Sequence, residues 1–384
     1  MFDLHIGRRG LLKTGLAGAG VSVLPSIAFA AAPTERRFVF IIQRGAADGL
    51  GTIMPTGDPG FMSARGSLEV PGGTKLDSMF TLHPALAETA KLYAGRQALF
   101  VHAVASRYRD RSHFDGQNVL ETGGTQPYQL QDGWLNRFLT LIPSKQADAI
   151  AVSSTIPAAL RGKVQVASYA PSALPQASDD LLARVSSMYA ADPMLHGLWE
   201  QAMTTRAMTG DLSDTGGKSA AATGALAARL LMGPDTRIAM IETGGWDTHA
   251  GQNGRLTAQL RGLDAMIASL RTGLGVQWAN TLVLVATEFG RTVAVNGTGG
   301  TDHGTGSAAM LLGGGVSGGR VLADWPGLSG ANLYEGRDLK PTLSLDTLIA
   351  ASLAQHYDLD PARVRAALFP DETGTGMRET LVRT

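Results

Sequence analysis

The chain has 384 residues, 44% of them hydrophobic and 17% charged, with 33 basic and 33 acidic side chains and no cysteine. That length supports one large core or two smaller ones. The balanced charge gives no ground for a nucleic-acid or anionic-membrane partner. The missing cysteines exclude disulfides, thiolate metal sites and a cysteine nucleophile.

The first segment reads as an address. GRRGLLKTGLAGAGVSVLPSIAFAAAP sets Arg8 and Arg9 before an apolar run that ends in Ala28-Phe29-Ala30. It resembles a twin-arginine export peptide, so residues 1–30 are set apart from the fold. The run is weakly apolar and contains Pro25, which favours cleavage over retention as a membrane anchor. The expectation is a periplasmic or secreted protein with no stable membrane span after cleavage, whose first partner is the twin-arginine export machinery.

Residues 31–384 read as a single domain. RFVFIIQ (37–43) is a β-branched and aromatic run, hence a buried strand, followed by the loop RGAADGLG. HPALAETAKLYAG (83–95) reads as a helix with Pro84 in its first turn and Gly95 past its end. ALFVHAV is the next strand, and RSHFDGQNVLETGG a loop feeding a helix. TRIAMIET (236–243) is a third strand. Apolar residues at 256, 260, 263, 266, 267, 270 and 274 then keep helical spacing. TLVLVAT (281–287) and SAAMLLG (307–313) are two more strands, and SLDTLIAASLAQHY is a late helix with Ser344 as N-cap. Strands alternating with helices predict an α/β fold, a mostly parallel sheet covered on both faces. Residues 145–225, with the helical DDLLARVSSMYAADPMLHGLWEQAM and a polar connector at 209–224, read as an insertion or cap. GGKS within that connector is not a phosphate loop, because the position that needs the first glycine is Leu212.

Polar groups gather where the apolar strands end. Asp48 follows the first strand; Ser112, His113 and Asp115 follow the second. Asp247 and His249 follow the third, Glu288 the fourth, and Asp302-His303 precede the fifth. In an open parallel sheet the carboxyl ends of the strands share one edge, so these residues converge. Carboxylates and imidazoles suit zinc, manganese and related divalent ions. Each residue also has a structural reading: Asp48-Gly49 as a turn, Asp247 as a helix cap, Glu288 as a partner of Arg291, Asp302-His303 as turn chemistry. Arg109, Asp110 and Arg111 read as a solvated charge cluster, His102 as a core histidine, and His196 and His356 as surface groups.

Through RGAADGL, RSHFDGQNVLETG, GGWDTHA, ATEFGRT, GTDHGTGSA and VSGGRVLADWPGL, the chain resembles the secreted bacterial family called "domain of unknown function 1501" over nearly its full length. That family resembles the alkaline phosphatase and sulfatase superfamily, a metal-dependent α/β fold. The resemblance implies that Asp48, Asp247, His249, Glu288 and His303 hold one or two divalent metals. It places Ser112 or His113 in the nucleophile slot, nine residues before Thr122-Gly123. Arg44 and Arg291 become candidates to clamp anionic oxygens, since guanidinium is a fixed two-donor fork. The chain departs from the superfamily at Phe289, which stands where a ligand is usual, and at His113, an unusual residue in that slot. Without cysteine there is no formylglycine. The implied function is a periplasmic metal-dependent hydrolase of a phosphate or related anionic ester, with an anionic small molecule or polysaccharide as substrate. The alternative is a catalytically degenerate member that binds envelope carbohydrate or a partner protein.

Overall fold

A computed structural model describes residues 35–142, 148–170, 179–190, 192–209, 219–234, 236–372 and 376–383. The export segment at 1–30 and residues 210–218 of the polar connector lie outside the described residues. The main sheet is built from β1 (Arg37–Gln43), β2 (Ala98–Ala105), β3 (Asp148–Val152), β4 (Ala167–Ser168), β5 (Thr236–Thr243), β6 (Thr281–Ala286), β7 (Ser307–Leu312), β8 (Arg320–Leu322) and β9 (Leu343–Ser344). Hydrogen-bonded neighbours run β8-β2-β7-β6-β1-β5-β3-β4, with β9 also on β2. All pairs are parallel except those of β7, which runs against β6 and β2. This reversal matters for the site: β7 begins at the edge where β1, β2, β5 and β6 end.

The α-helices of six or more residues are α1 (Ala87–Ala94), α2 (His113–Thr122), α3 (Trp134–Leu139), α4 (Asp179–Tyr189), α5 (Pro193–Thr209), α6 (Ala220–Leu231), α7 (Gln252–Leu274), α8 (Leu345–Tyr357) and α9 (Pro361–Leu368). Side chains alternate across a strand, and β1 divides its residues accordingly. Phe38, Phe40 and Ile42 enter a core with Trp134, Phe138, Leu348 and Leu368 from α3, α8 and α9. Val39 and Ile41 enter a second core with Leu226, Leu260 and Ile267 from α6 and α7. Both faces are buried, which is why the strands read as unbroken apolar runs. The helical spacing read from 256 to 274 is the buried stripe of α7.

Three expectations shift. The helix expected from His83 starts at Ala87, because His83 and Pro84 form a turn in which the Ala85 N–H donates to His83 Nδ1. Its cap comes from another helix: Asp264 of α7 accepts from the Glu88 and Thr89 N–H groups at 2.9 and 2.8 Å. The stretch read as an insertion or cap contributes β3 and β4 to the sheet beside β5, and only then the helices α4 and α5. His356, read as a surface group, is buried and donates from Nε2 to the Arg37 carbonyl at 2.9 Å. Burial holds it neutral, with its pKa down at about 4.

Ser344 does cap α8, its hydroxyl accepting from the Thr347 N–H at 3.2 Å. Ser344→Ala should cost about 1 kcal/mol of stability, read as a lower denaturant midpoint with an unchanged slope. Among the described residues no helix is long and apolar enough to cross a membrane.

Candidate metal centre

The ends of β1, β2, β5 and β6 and the approach to β7 meet at one edge, and glycines let their loops touch. Gly45 has φ 119°, and a Cβ there would lie 2.7 Å from the Asp247 nitrogen. A Cβ on Gly300 would lie 2.3 Å from the His249 carbonyl carbon, so the loop carrying His303 rests directly on the loop carrying His249. Side chains at both positions would force these loops apart.

Four side chains converge there. Asp247 Oδ1 lies 3.0 Å from His249 Nε2 and 3.2 Å from His303 Nε2, and its Oδ2 lies 3.4 Å from His113 Nε2. The Nε2 atoms of His249 and His303 are 3.0 Å apart. Ligand atoms of His113, Asp247 and His303 all fall within 4.8 Å of one another.

The far side of each ring fixes its tautomer. His113 Nδ1 donates to Glu288 Oε1 at 2.8 Å, His249 Nδ1 to Asp302 Oδ1 at 3.1 Å, and His303 Nδ1 to the Arg111 carbonyl at 3.0 Å. Carboxylate and carbonyl oxygens only accept, so each Nδ1 carries the hydrogen. In the neutral rings each Nε2 then presents a lone pair: those of His113 and His303 share a space with an Asp247 oxygen, and that of His249 adjoins His303 and Asp247. His113 Nε2 is buried with no hydrogen-bond partner. Such a donor set fits a divalent cation, and histidines that bind metals are oriented through the opposite nitrogen in this way.

Charge and burial sharpen the picture. Glu288 is fully buried. Burial pushes its carboxyl up, but hydrogen bonds from His113, Gln117 and the Gly45 N–H outweigh it and hold the group below its ordinary range. That carboxylate bond in turn raises the His113 pKa. For Asp247, burial is likewise outweighed, here by Arg291, whose Nη1 donates to Oδ1 at 2.5 Å. His303 is lowered, mainly by burial. Asp247 and His249 keep 40% and 45% of their side chains exposed, which leaves one side of the centre open to solvent.

The other expected site residues stand around this core. Glu288 sits behind His113. Asp48 does not join the cluster: it is buried, with both oxygens held by Arg65 and one also by Gln252. Arg44 is engaged by Glu242, Glu121 and Gln117. Arg291 is fully buried and also donates to Thr301. Ser112 is the N-cap residue of α2, but its side chain makes no capping bond. The Phe289 ring stacks on His113 with centroids 5.1 Å apart.

Two contributors escaped the sequence reading. Arg111, read as a solvated charge, has a left-handed backbone (φ 61°) that turns its carbonyl to His303. Asp338, fully buried, holds Arg111 through Oδ2 at 2.9 Å and accepts from Thr305 at 2.7 Å, so it ties both ends of the Arg111–His303 bond. Its distance in sequence from every motif gave no signal. Asp338→Asn should loosen that clamp and raise the fraction of His303 carrying hydrogen on Nε2, read from imidazole nitrogen chemical shifts. Unchanged shifts would confine Asp338 to a structural role.

The fold and the site together define an α/β protein with a histidine–aspartate centre at the carboxyl edge of a mostly parallel sheet. The chain belongs to the family described as "Protein of unknown function (DUF1501)", which matches residues 35–369. No curated protein matches the chain. Among solved structures it is similar to the zinc complex of the C-terminal periplasmic domain of EcEptC from Escherichia coli, at 9% identity, covering 73% of each chain, TM-score 0.36. It is also similar to alkaline phosphatase from the Antarctic bacterium TAB5, at 11% identity, covering 76% of this chain and 95% of that one, TM-score 0.38. A third is the phosphonate monoester hydrolase of Agrobacterium radiobacter, at 10% identity, covering 75% and 70%, TM-score 0.31. At these scores the likeness carries nothing about the site.

Proposed function

We propose that this chain is an exported, periplasmic, metal-dependent hydrolase of a phosphate or related anionic ester. One observation supports the reading above the others: His113, His303 and Asp247 bring ligand atoms into one space, His249 Nε2 adjoins them 3.0 Å from His303 Nε2, and each ring's Nδ1–H is held from behind. When bound, a divalent ion at that point polarises a phosphoryl oxygen and lowers the pKa of a bound water. His113, Asp247, His249 and His303 would hold it. Glu288, Asp302 and the Arg111 carbonyl keep the three rings in the binding tautomer. Arg291 acts through Asp247, fixing one carboxylate oxygen. Ser112, beside His113 and free of a capping bond, is the candidate nucleophile if attack is not by water. Export rests on Arg8, Arg9 and Ala28-Phe29-Ala30.

The test is elemental analysis of protein exported and purified without chelator, followed by a screen of phosphate monoesters, phosphate diesters and sulfate esters. About one divalent ion per chain is expected, with turnover that chelator abolishes and the ion restores. Protein that binds no divalent ion would sink the reading. An ion without turnover would leave the degenerate carbohydrate- or partner-binding protein.

A further inference from the structure

The metal-hydrolase reading does not specify the charge of the ester, and the guanidinium groups around the centre bear on it. A phosphate monoester is a dianion near neutral pH, since its second pKa lies near about 6. Sites for such groups offer forked guanidinium donors to the free oxygens. At this edge those donors are spent on the protein itself, most of them on carboxylates. Arg44 donates from Nε to Glu242 at 2.7 Å and pairs through Nη2 with Glu121 at 2.8 Å. Arg111 pairs with Asp338 and Glu335 at 2.8 and 2.5 Å. Arg291 holds Asp247, with its side chain fully buried. Arg109 turns back onto the Ser106 and Tyr108 carbonyls of its own loop.

The carboxylates, by contrast, are in excess. Among the described residues Glu288 and Asp302 form ion pairs only with His113 and His249, the rings that a metal would hold neutral. One divalent ion balances these two charges, and each of these guanidinium groups, together with Arg337 on Asp338 and the His303 carbonyl, is already hydrogen-bonded within the protein rather than held ready for a dianion. We infer that the centre takes a monoanionic ester, a phosphate diester with two organic groups, in preference to a dianionic monoester. This rests on the metal-hydrolase reading.

The step balances as follows in atoms and charge. Water oxygen bonds to phosphorus and one ester P–O bond breaks. The leaving alcohol carries off one of the water protons. The second proton stays on the phosphoryl group until solvent takes it, and the product monoester becomes a dianion. The carboxylates that tolerate the monoanionic substrate repel that product, which favours its release.

The experiment compares the metal-loaded protein on bis(p-nitrophenyl) phosphate and on p-nitrophenyl phosphate in mildly alkaline buffer, where the monoester is a dianion. The diester should be favoured in kcat/KM by on the order of 100-fold, because like-charge juxtaposition penalises the dianion. Glu242→Gln removes one partner of Arg44 and should narrow that gap by roughly tenfold. In parallel, phosphorus NMR titration should show inorganic phosphate binding no tighter than dimethyl phosphate. A monoester turned over faster than the diester, or phosphate bound the tighter, overturns the inference and leaves the hydrolase standing. Turnover of neither ester sinks the hydrolase reading, and the two binding titrations still decide the charge preference.

Discussion

Arg65→Met should destabilise the protein by about 3–5 kcal/mol, the cost of leaving a buried charge without its partner. Asp48 and Arg65 are each about 1% exposed. Their pair is two-pronged, Nη1 to Oδ2 at 2.6 Å and Nη2 to Oδ1 at 3.1 Å. Arg65 also donates to the Thr292 and Val293 carbonyls, both at 2.6 Å. Methionine fills the volume but strands the carboxylate and both carbonyls. Asp48→Asn/Arg65→Met should recover much of the loss, because the amide carries no charge to desolvate. The pH dependence carries a sign. Burial pushes the Asp48 carboxyl up, but Arg65 outweighs it, so its folded pKa lies below the ordinary 3.8. In the parent, the stability it contributes is present above that ordinary value and is lost as pH falls through the lower folded one. In Arg65→Met the largest opposing contribution is gone, and Arg291 with the Gly51 N–H opposes burial only in part, so the pKa rises, and the deficit against the parent is greatest near neutral pH and shrinks in acid. Chemical denaturation across that range checks it. A deficit that does not change with pH would mean that lost packing, not stranded charge, is the cause.

That pair also shows where sequence stops being legible. The strands from 37, 236, 281 and 307 and the helix from 252 were readable because each buries a periodic apolar face, and periodicity is local. The convergence of Asp247, His249 and His303 was readable because parallel strands deliver their ends to one edge, and because the reversed β7 begins there. What could not be read was each carboxylate's partner. Asp48 and Asp247 look alike in sequence, each in a glycine-bearing loop after a strand. Arg65 and Gln252 enclose one, while Arg291 and open solvent frame the other. Gln252 then links the two regions, its Oε1 accepting from Thr248 and Thr301 at 3.0 and 2.6 Å, next to His249 and Asp302. So Asp48 braces the loops of the centre without reaching it. Arg44 misled for the same reason: a strand-end arginine suits an anion until Glu121, from α2, and Glu242, from β5, are brought against it by the fold.

His249→Ala and His303→Ala should be non-additive if the two rings share an ion. Their Nε2 atoms lie 3.0 Å apart with lone pairs facing, an arrangement that only a proton or a cation between them stabilises. An ion bound to the native state stabilises it by mass action, about 2.7 kcal/mol when present at 100 times its dissociation constant. Either substitution alone should forfeit most of that, and the second should add little. Chelator should lower the melting temperature of the parent and barely move the single or double variants. If the histidines merely serve turns and helix ends, each loss should be about 1 kcal/mol, should add to the other, and should ignore chelator. Ser344→Ala is the internal control, since its cap at α8 lies outside the centre and its loss should be equal in both conditions. The double-mutant cycle, run with and without chelator, separates the two accounts. Additive losses indifferent to chelator would remove the shared ion, and with it the chemistry proposed for this edge of the sheet.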